Sequence, residues 1–207
     1  MKAEHCRAIV LSRHNYGEND QIVSLFTLEY GRLRGFAKSA RSSRKRFAGL
    51  LEPTNQLELL IVPREEGLSR IERVENTACY SSLREQLESL ALAMYACELV
   101  EMLTPEGQGL PRLFRLLTAM MEQLSSVGFK PTYRRFFEIN LLNILGYRPV
   151  MEEPLLKPLS DCIRTANFDK VQFSDPELKA AGRFMDKEIA THCPYQLKSM
   201  IFLEDLL

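Results

Sequence analysis

The stretch AIVLSRHNYGENDQIVSLFTLEYGRLRGFAKSA, residues 8–40, alternates apolar bursts with turn residues at the spacing of short β-strands. In the first burst Ala8, Val10 and Ser12 fall on one face and Ile9, Leu11 and Arg13 on the other, the period of two that a pleated strand imposes. Asn15, Gly17, Asn19 and Asp20 then supply turn chemistry before QIVSLFTLE. Tyr30 and Gly31 make a tight link to LRGFAKSA, with Gly31 free to adopt a positive φ. Two further bursts follow: QLELLIVP, bracketed by Pro53 and Pro63, and LSRIERVE, which comes after Gly67. Five short strands in about 75 residues predict a small closed barrel, because closure leaves no edge strand exposed.

After residue 80 the period becomes helical. Ser82 with Glu85 reads as a capping box that opens a helix carrying Leu83, Leu87, Leu90, Met94, Cys97 and Val100, stopped at Thr104 and Pro105. A second helix starts at Pro111 and runs through Leu113, Phe114, Leu117, Met120, Met121 and Leu124 to Gly128. A third follows Pro131, carries Phe136, Phe137, Ile139, Leu141, Leu142 and Leu145, and ends at Gly146. Residues 147–174 contain Pro149, Pro154 and Pro158 without a sustained period, which predicts irregular chain. Asp175 is the expected N-cap, with Pro176 at N1, of a fourth helix to about Thr191; Pro194 separates it from a short terminal helix. The reading is an α+β protein: a β-barrel domain over residues 1–80 and an α-helical bundle domain over 81–207, without internal repeats.

Composition narrows the function. With 45% apolar residues among 207, the chain can bury a real core. It contains no apolar run of membrane-spanning length, and its first residues, MKAEHCRAIV, do not read as a signal peptide. A cytoplasmic protein with no membrane role is expected. Five cysteines at irregular spacing suit reduced thiols rather than a disulfide framework. Lys plus Arg balance Asp plus Glu at 27 each, yet residues 1–80 hold 13 basic against 10 acidic side chains and the remainder holds 14 against 17. The N-terminal part therefore suits an anionic partner. His5, His14 and His192 are far apart, and no P-loop, G-x-S-x-G, G-x-G-x-x-G or H-E-x-x-H string occurs, so no enzyme, cofactor or metal site is expected. Glu18 and Asp20 belong to a turn rather than to a catalytic carboxylate pair.

The strongest local feature is Arg32, Arg34, Lys38, Arg41, Arg44, Lys45 and Arg46, seven cations with no acid among them. Gly35, Ala37, Ser39, Ala40, Ser42 and Ser43 lie between them, and Phe36 and Phe47 flank the loop. Small residues let phosphates approach the backbone, and aromatics stack on bases, so single-stranded or duplex nucleic acid fits, with steep salt dependence. A solvated charged hairpin has the same composition. So does a module that docks an acidic protein, or a barrel that binds RNA. A second candidate is Arg134 and Arg135 beside Phe136 and Phe137, with Arg112 and Arg115 near Leu113 and Phe114. Guanidiniums next to an apolar groove suit a peptide ending in an aromatic residue and a carboxylate, although Phe and Leu at this spacing are also what a helical core needs.

These pieces, in order, resemble a known family. The order of the strand segment through AKSARS, then FAGLLEPTNQLELLI, YACELVEML, LFRLLTAMMEQL, RRFFEINLLNILGY and LKSMIFLEDLL is similar to the bacterial recombination mediator family RecO, nearly end to end. Its most specific parts are YGE followed by T-x-E-x-G-R-L with the basic run after it, and F-E-x-x-L-L-x-x-L-G-Y in the bundle. The resemblance implies an N-terminal five-stranded OB-fold barrel followed by a C-terminal α-helical domain. It also implies a non-enzymatic role: binding single- and double-stranded DNA, annealing complementary strands, and with RecR helping RecA replace the single-strand-binding protein SSB. The family's DNA-contacting strand and loop fall on Arg32, Arg34, Lys38, Arg41, Arg44, Lys45 and Arg46. Its groove for the SSB C-terminal tail falls on Phe114, Leu117, Arg134, Arg135, Leu142 and Leu145. Many relatives carry a four-cysteine zinc site after L-G-Y, whereas LGYRPVMEEPLLKPLSDC has only Cys162 and no later CxxC, so zinc is not expected and that lobe is either held by packing or mobile.

Overall fold

The structure, a computed structural model, describes residues 2–43, 45–47, 49–64, 66–165 and 167–206, and leaves the side chains of Asn76 and Thr77 undescribed. Five strands, β1 (Glu4–Tyr16), β2 (Asp20–Thr27), β3 (Gly31–Ala37), β4 (Gln56–Val62) and β5 (Ser69–Ala78), close into a barrel in the order β1-β2-β3-β5-β4. All neighbouring pairs are antiparallel except β3 with β5, where Gly35 faces Ser69 and Phe36 faces Arg70 in parallel register. Strand order and closure are those of an OB-fold. Ala8, Val10, Val23, Leu25, Leu33, Leu57, Leu59, Ile61 and Ile71 fill the interior, and Phe47 and Leu51 of the β3–β4 connection join the same core.

Strand β1 does more than close the barrel. Its Ala8 and Val10 point into the barrel core, while Ile9 and Leu11 are buried in the core of the helical part. A register shift between Val10 and Ser12 marks a bulge at Leu11. The helix against this wall is α1 (Leu87–Leu103), buried at Ala91, Leu92, Tyr95, Ala96, Cys97, Leu99 and Val100, as a central helix surrounded by other elements must be. Its Cys97 thiol lies 3.8 Å from the Val10 carbonyl, and burial pushes that thiol up to about 12. Against α1 pack α2 (Pro111–Ser126), α3 (Pro131–Leu145) and α6 (Lys198–Leu206), while α4 (Leu156–Arg164) and α5 (Asp175–His192) pack on α3. Phe26 of β2 stacks on Phe114 of α2 at 6.3 Å. Fully burying Ile9, Leu11 and Phe26 contributes roughly 5–9 kcal/mol as an upper figure, enough to join barrel and bundle firmly.

Three local expectations are corrected. Ser81–Arg84 form a single 3-10 turn, and α1 begins after Gln86; the Ser82 hydroxyl donates to the Ser125 carbonyl at 2.8 Å instead of capping a helix. Ser174, not Asp175, caps α5, in a capping box with Glu177. Residues 147–174 are not wholly irregular: α4 forms with Pro158 in its first turn, where proline is tolerated, and a short 3-10 turn covers Phe168–Lys170. Packing holds this lobe. Phe168 sits 4.2 Å from the Phe136 ring and 5.5 Å from that of Tyr133, and Asp169 accepts from Lys130, Tyr133 and Gln123. Among the described residues no group of three or more His, Cys, Asp or Glu side chains could hold a metal ion, and no helix is long and apolar enough to cross a membrane.

Gly31 has a second duty beyond its turn. Its φ is +68°, and a Cβ there would lie 1.8 Å from the Gln108 carbonyl oxygen in the connection that follows α1. Gly31→Ala is therefore expected to cost more than about 2 kcal/mol, the left-handed penalty plus a backbone clash. Gly17→Ala, at φ +59° in open space, should incur the first cost alone. Urea denaturation of the two variants checks this ordering.

Candidate nucleic-acid interface

Alternation along β3 sets the site. Gly31, Leu33, Gly35 and Ala37 are buried, whereas Arg32, Arg34 and Phe36 face outward and Lys38 continues that face beyond the strand. The glycine at 35 is a packing requirement, since a Cβ there would meet the Ile71 side chain at 2.6 Å. On the same outer face, register places Ile22 of β2 beside Phe36, and His14 of β1 beside Ile22. Tyr16 ends β1 with 58% exposure, its ring 6.1 Å from that of Phe36 and edge-on to it. The helices cover the other end of this face, where Ile9 and Phe26 pair and where the Ser12 hydroxyl donates to Glu101 of α1 at 2.8 Å. One half of the β1–β2–β3 surface is thus closed and the other is open.

Six of the seven expected cations are described, and they separate along that boundary. Arg34, Lys38, Arg41 and Lys45 are exposed. Arg34 lies 3.8 Å from Glu106, and Arg41 donates to the Glu18 carbonyl at 2.7 Å, which holds its loop against the β1–β2 turn. Arg46 is half-buried and braces the loop, donating to the Lys38 carbonyl at 2.6 Å and lying over the Phe47 ring. Phe47 itself is buried in the barrel core and is closed to any base, contrary to a flanking aromatic. Arg32 is drawn under the connection after α1, where its Nε donates to the Thr104 carbonyl at 2.8 Å and its guanidinium pairs with Glu106 at 3.2 Å. It serves as a bolt between barrel and helices. Arg44 lies outside the described residues.

The expected peptide groove takes a different form. Phe114 is stacked on Phe26 at the joint, Leu117 and Leu142 are fully buried, and Leu145 is half-buried at the margin of the same core. Arg134 and Arg135, 4% and 9% exposed, face inward. The Arg134 Nε donates to Glu138 at 2.8 Å, Arg135 donates to Glu138 at 2.7 Å, and both reach Asp186 of α5, at 2.7 and 3.1 Å. The Tyr95 hydroxyl donates to Glu138 at 2.6 Å. These six residues do not line an open groove in this structure: the apolar ones are core, and the arginines already have carboxylate partners. The residues missed in sequence are Tyr16, Ile22 and Arg70. Only strand pairing brings them beside Phe36, and Arg70 needs the parallel β3–β5 contact to get there.

A closed five-stranded OB barrel, bolted to a helical bundle and carrying exposed cations beside an open part of its β2–β3 face, defines the structural class. Two family descriptions match within it: "Recombination protein O N terminal" over residues 1–80 and "Recombination protein O C terminal" over residues 84–154. The DNA repair protein RecO of Pelobacter propionicus is 37% identical across 100% of this chain and 98% of its own length. Those of Geobacter sulfurreducens and Geobacter metallireducens are also 37% identical, across 97% and 100% of this chain and 97% and 99% of theirs. The chain belongs to the RecO family of DNA repair proteins.

The Arg134–Arg135–Glu138 cluster has a pH signature. Burial works to raise the Glu138 carboxyl, but Arg135 and Arg134 beside it, with the Tyr95 hydroxyl, hold it below the usual carboxylate value. A group depressed in the folded state contributes stability above its unfolded value, and that contribution is lost as pH falls through the folded one. Glu138→Gln is expected to cost about 3–5 kcal/mol at neutral pH, by leaving two buried guanidiniums to share the Asp186 carboxylate, and to flatten the acid limb of stability below about pH 4.3. Urea titrations at neutral and acid pH check both. Arg134→Ala should fall in the same destabilised class.

Proposed function

We propose that this protein is a non-enzymatic recombination mediator that binds DNA strands on the open half of the barrel face. In this reading it anneals complementary strands and, with RecR, assists RecA loading onto SSB-coated DNA in the cytoplasm. The observation that carries the reading is a set of exposed cations close in sequence: Arg34 and Lys38 on the outer face of β3 and its continuation, and Arg41 and Lys45 in the connection that follows. In OB-folds the face of strands 2 and 3, with the loops that border it, is where oligonucleotides lie. The chain's formal net charge is zero, so attraction for a polyanion must be local, and these side chains concentrate it. Membership of a DNA repair family supports the same substrate. Nothing in the mechanism needs a covalent step. Loop cations that neutralise phosphates release the strand's condensed counterions into solution, and contacts with partner proteins raise the local concentration of strands. Tail binding to SSB remains part of the proposed role, with Phe114, Leu117, Arg134, Arg135, Leu142 and Leu145 as the proposed residues, and it would require the paired arginines to exchange Glu138 or Asp186 for the tail's carboxylates.

Replacing Lys38, Arg41 and Lys45 together with Glu should weaken single-stranded DNA binding by tenfold or more at low salt. It should also reduce the slope of log affinity against log salt by about 2, at ~0.7 per lost phosphate contact. Fluorescence anisotropy across a salt series measures both quantities. Unchanged DNA affinity together with weakened binding of an acidic repair protein would show the barrel to be a protein-docking module instead.

A further inference from the structure

Among the described residues of the barrel, Tyr16 is the one large aromatic or aliphatic side chain that is exposed. It fills no core, and its ring touches Phe36, itself half-buried on the outer face of β3. The interplanar angle is 82° and the centroids are 6.1 Å apart, an edge-to-face pair that steadies Tyr16 while leaving it 58% accessible. Three cations surround this pair. Arg34 and Lys38 stand two residues to either side of Phe36 on the same face, and Arg70 sits opposite Phe36 across the parallel β3–β5 contact, 63% exposed. Residues two apart on a strand are ~6.8 Å apart, so the cations flank the rings at close range. Arg70 also pairs with Glu72 at 2.5 Å, and Arg34 reaches Glu106 at 3.8 Å, both exposed pairs of the kind that contributes little and exchanges readily.

We propose that Tyr16 and Phe36 form a base-stacking platform that holds an unpaired DNA strand, with Arg34, Lys38 and Arg70 meeting its phosphates. This rests on the DNA-binding function proposed above and specifies its substrate as single-stranded. A base offers its face to a protein ring only when it is not stacked in a duplex, so the platform acts on single strands alone. Duplex DNA engages the cations without the rings. The surface thereby ranks unpaired above paired DNA by stacking, and holds both by charge.

The test compares wild type, Tyr16→Ala and Tyr16→Trp on an oligo-dT strand and on a duplex of equal length, each at two salt concentrations. Tyr16 is exposed, so its replacement leaves the fold intact, and circular dichroism with thermal melting verifies this. Tyr16→Ala should weaken oligo-dT binding about tenfold, the loss expected for one stacked base, with duplex affinity and the salt slope unchanged because no charge is removed. Tyr16→Trp should keep the affinity, and its indole, in a chain that has no other Trp, should be quenched by oligo-dT and not by duplex. Equal oligo-dT affinity for Tyr16→Ala and wild type, or an equal loss on strand and duplex, overturns the platform while leaving DNA binding standing. Absence of DNA binding by wild type overturns both readings.

Discussion

The two-sided burial of β1 is the constraint from which the rest of the arrangement follows. A barrel strand ordinarily buries one face and presents the other to water. Here Ala8 and Val10 fill the barrel while Ile9 and Leu11 enter the helical core, so the first half of the strand is an interior wall shared by both. The bulge at Leu11 is the local device. It lets one extra apolar residue turn toward α1 without shifting Ala8 and Val10 out of the barrel. Beyond it β1 runs on to Tyr16, past the helices' reach. The open surface exists because the strand is longer than its cover.

That boundary also explains why arginines two residues apart take different fates. Arg32 lies beneath residues 104–107 and is spent on a carbonyl and a carboxylate there, while Arg34, the next side chain on the same face, is exposed at the rim. Gly31 belongs to the same joint, because only a residue without Cβ lets the Gln108 carbonyl come so near. In the bundle, Arg134 and Arg135 show the opposite extreme. Two guanidiniums around one fully buried carboxylate fix α3 against α5, and α5 comes close enough that a Cβ on Gly182 would stand 3.2 Å from Arg135. Buried ion clusters are weak sources of net stability but costly to leave half made, so this one specifies helix placement more than it adds strength.

Particular residues show what could be read in advance. The strands were legible because a period of two and turn chemistry at Gly17 and Gly31 are local properties, and a closed barrel is the economical way to hide five short strands. The α4 helix was not, because Pro158 is a breaker in any interior turn and a tolerated residue only in the first, a distinction that needs the boundary first. The partners of Arg134 and Arg135 were not legible: the sequence shows the charges, but not that Glu138 and Asp186 reach them from within the helix and from one fifty residues on. Tyr16 was hidden among turn residues, and Arg70 lies in a strand burst with no site signal of its own. Both gain meaning only from the registers that set them beside Phe36.

The division of the surface bears on how a strand could be held and then released. The exposed cations are few, and each neutralised phosphate is sensitive to salt, so charge alone yields weak and rapidly reversible binding at physiological ionic strength. For the function proposed here weakness is useful, because a strand gripped by every phosphate could not pair with its complement or be passed to another protein. Selectivity then has to come from something other than more charge. Aromatic faces supply it without deepening the non-specific grip, since they engage bases and not backbone. Under the function and platform proposed here, pairing would withdraw the bases from the rings and leave the product duplex held by the cations alone, so that annealing itself would loosen the complex.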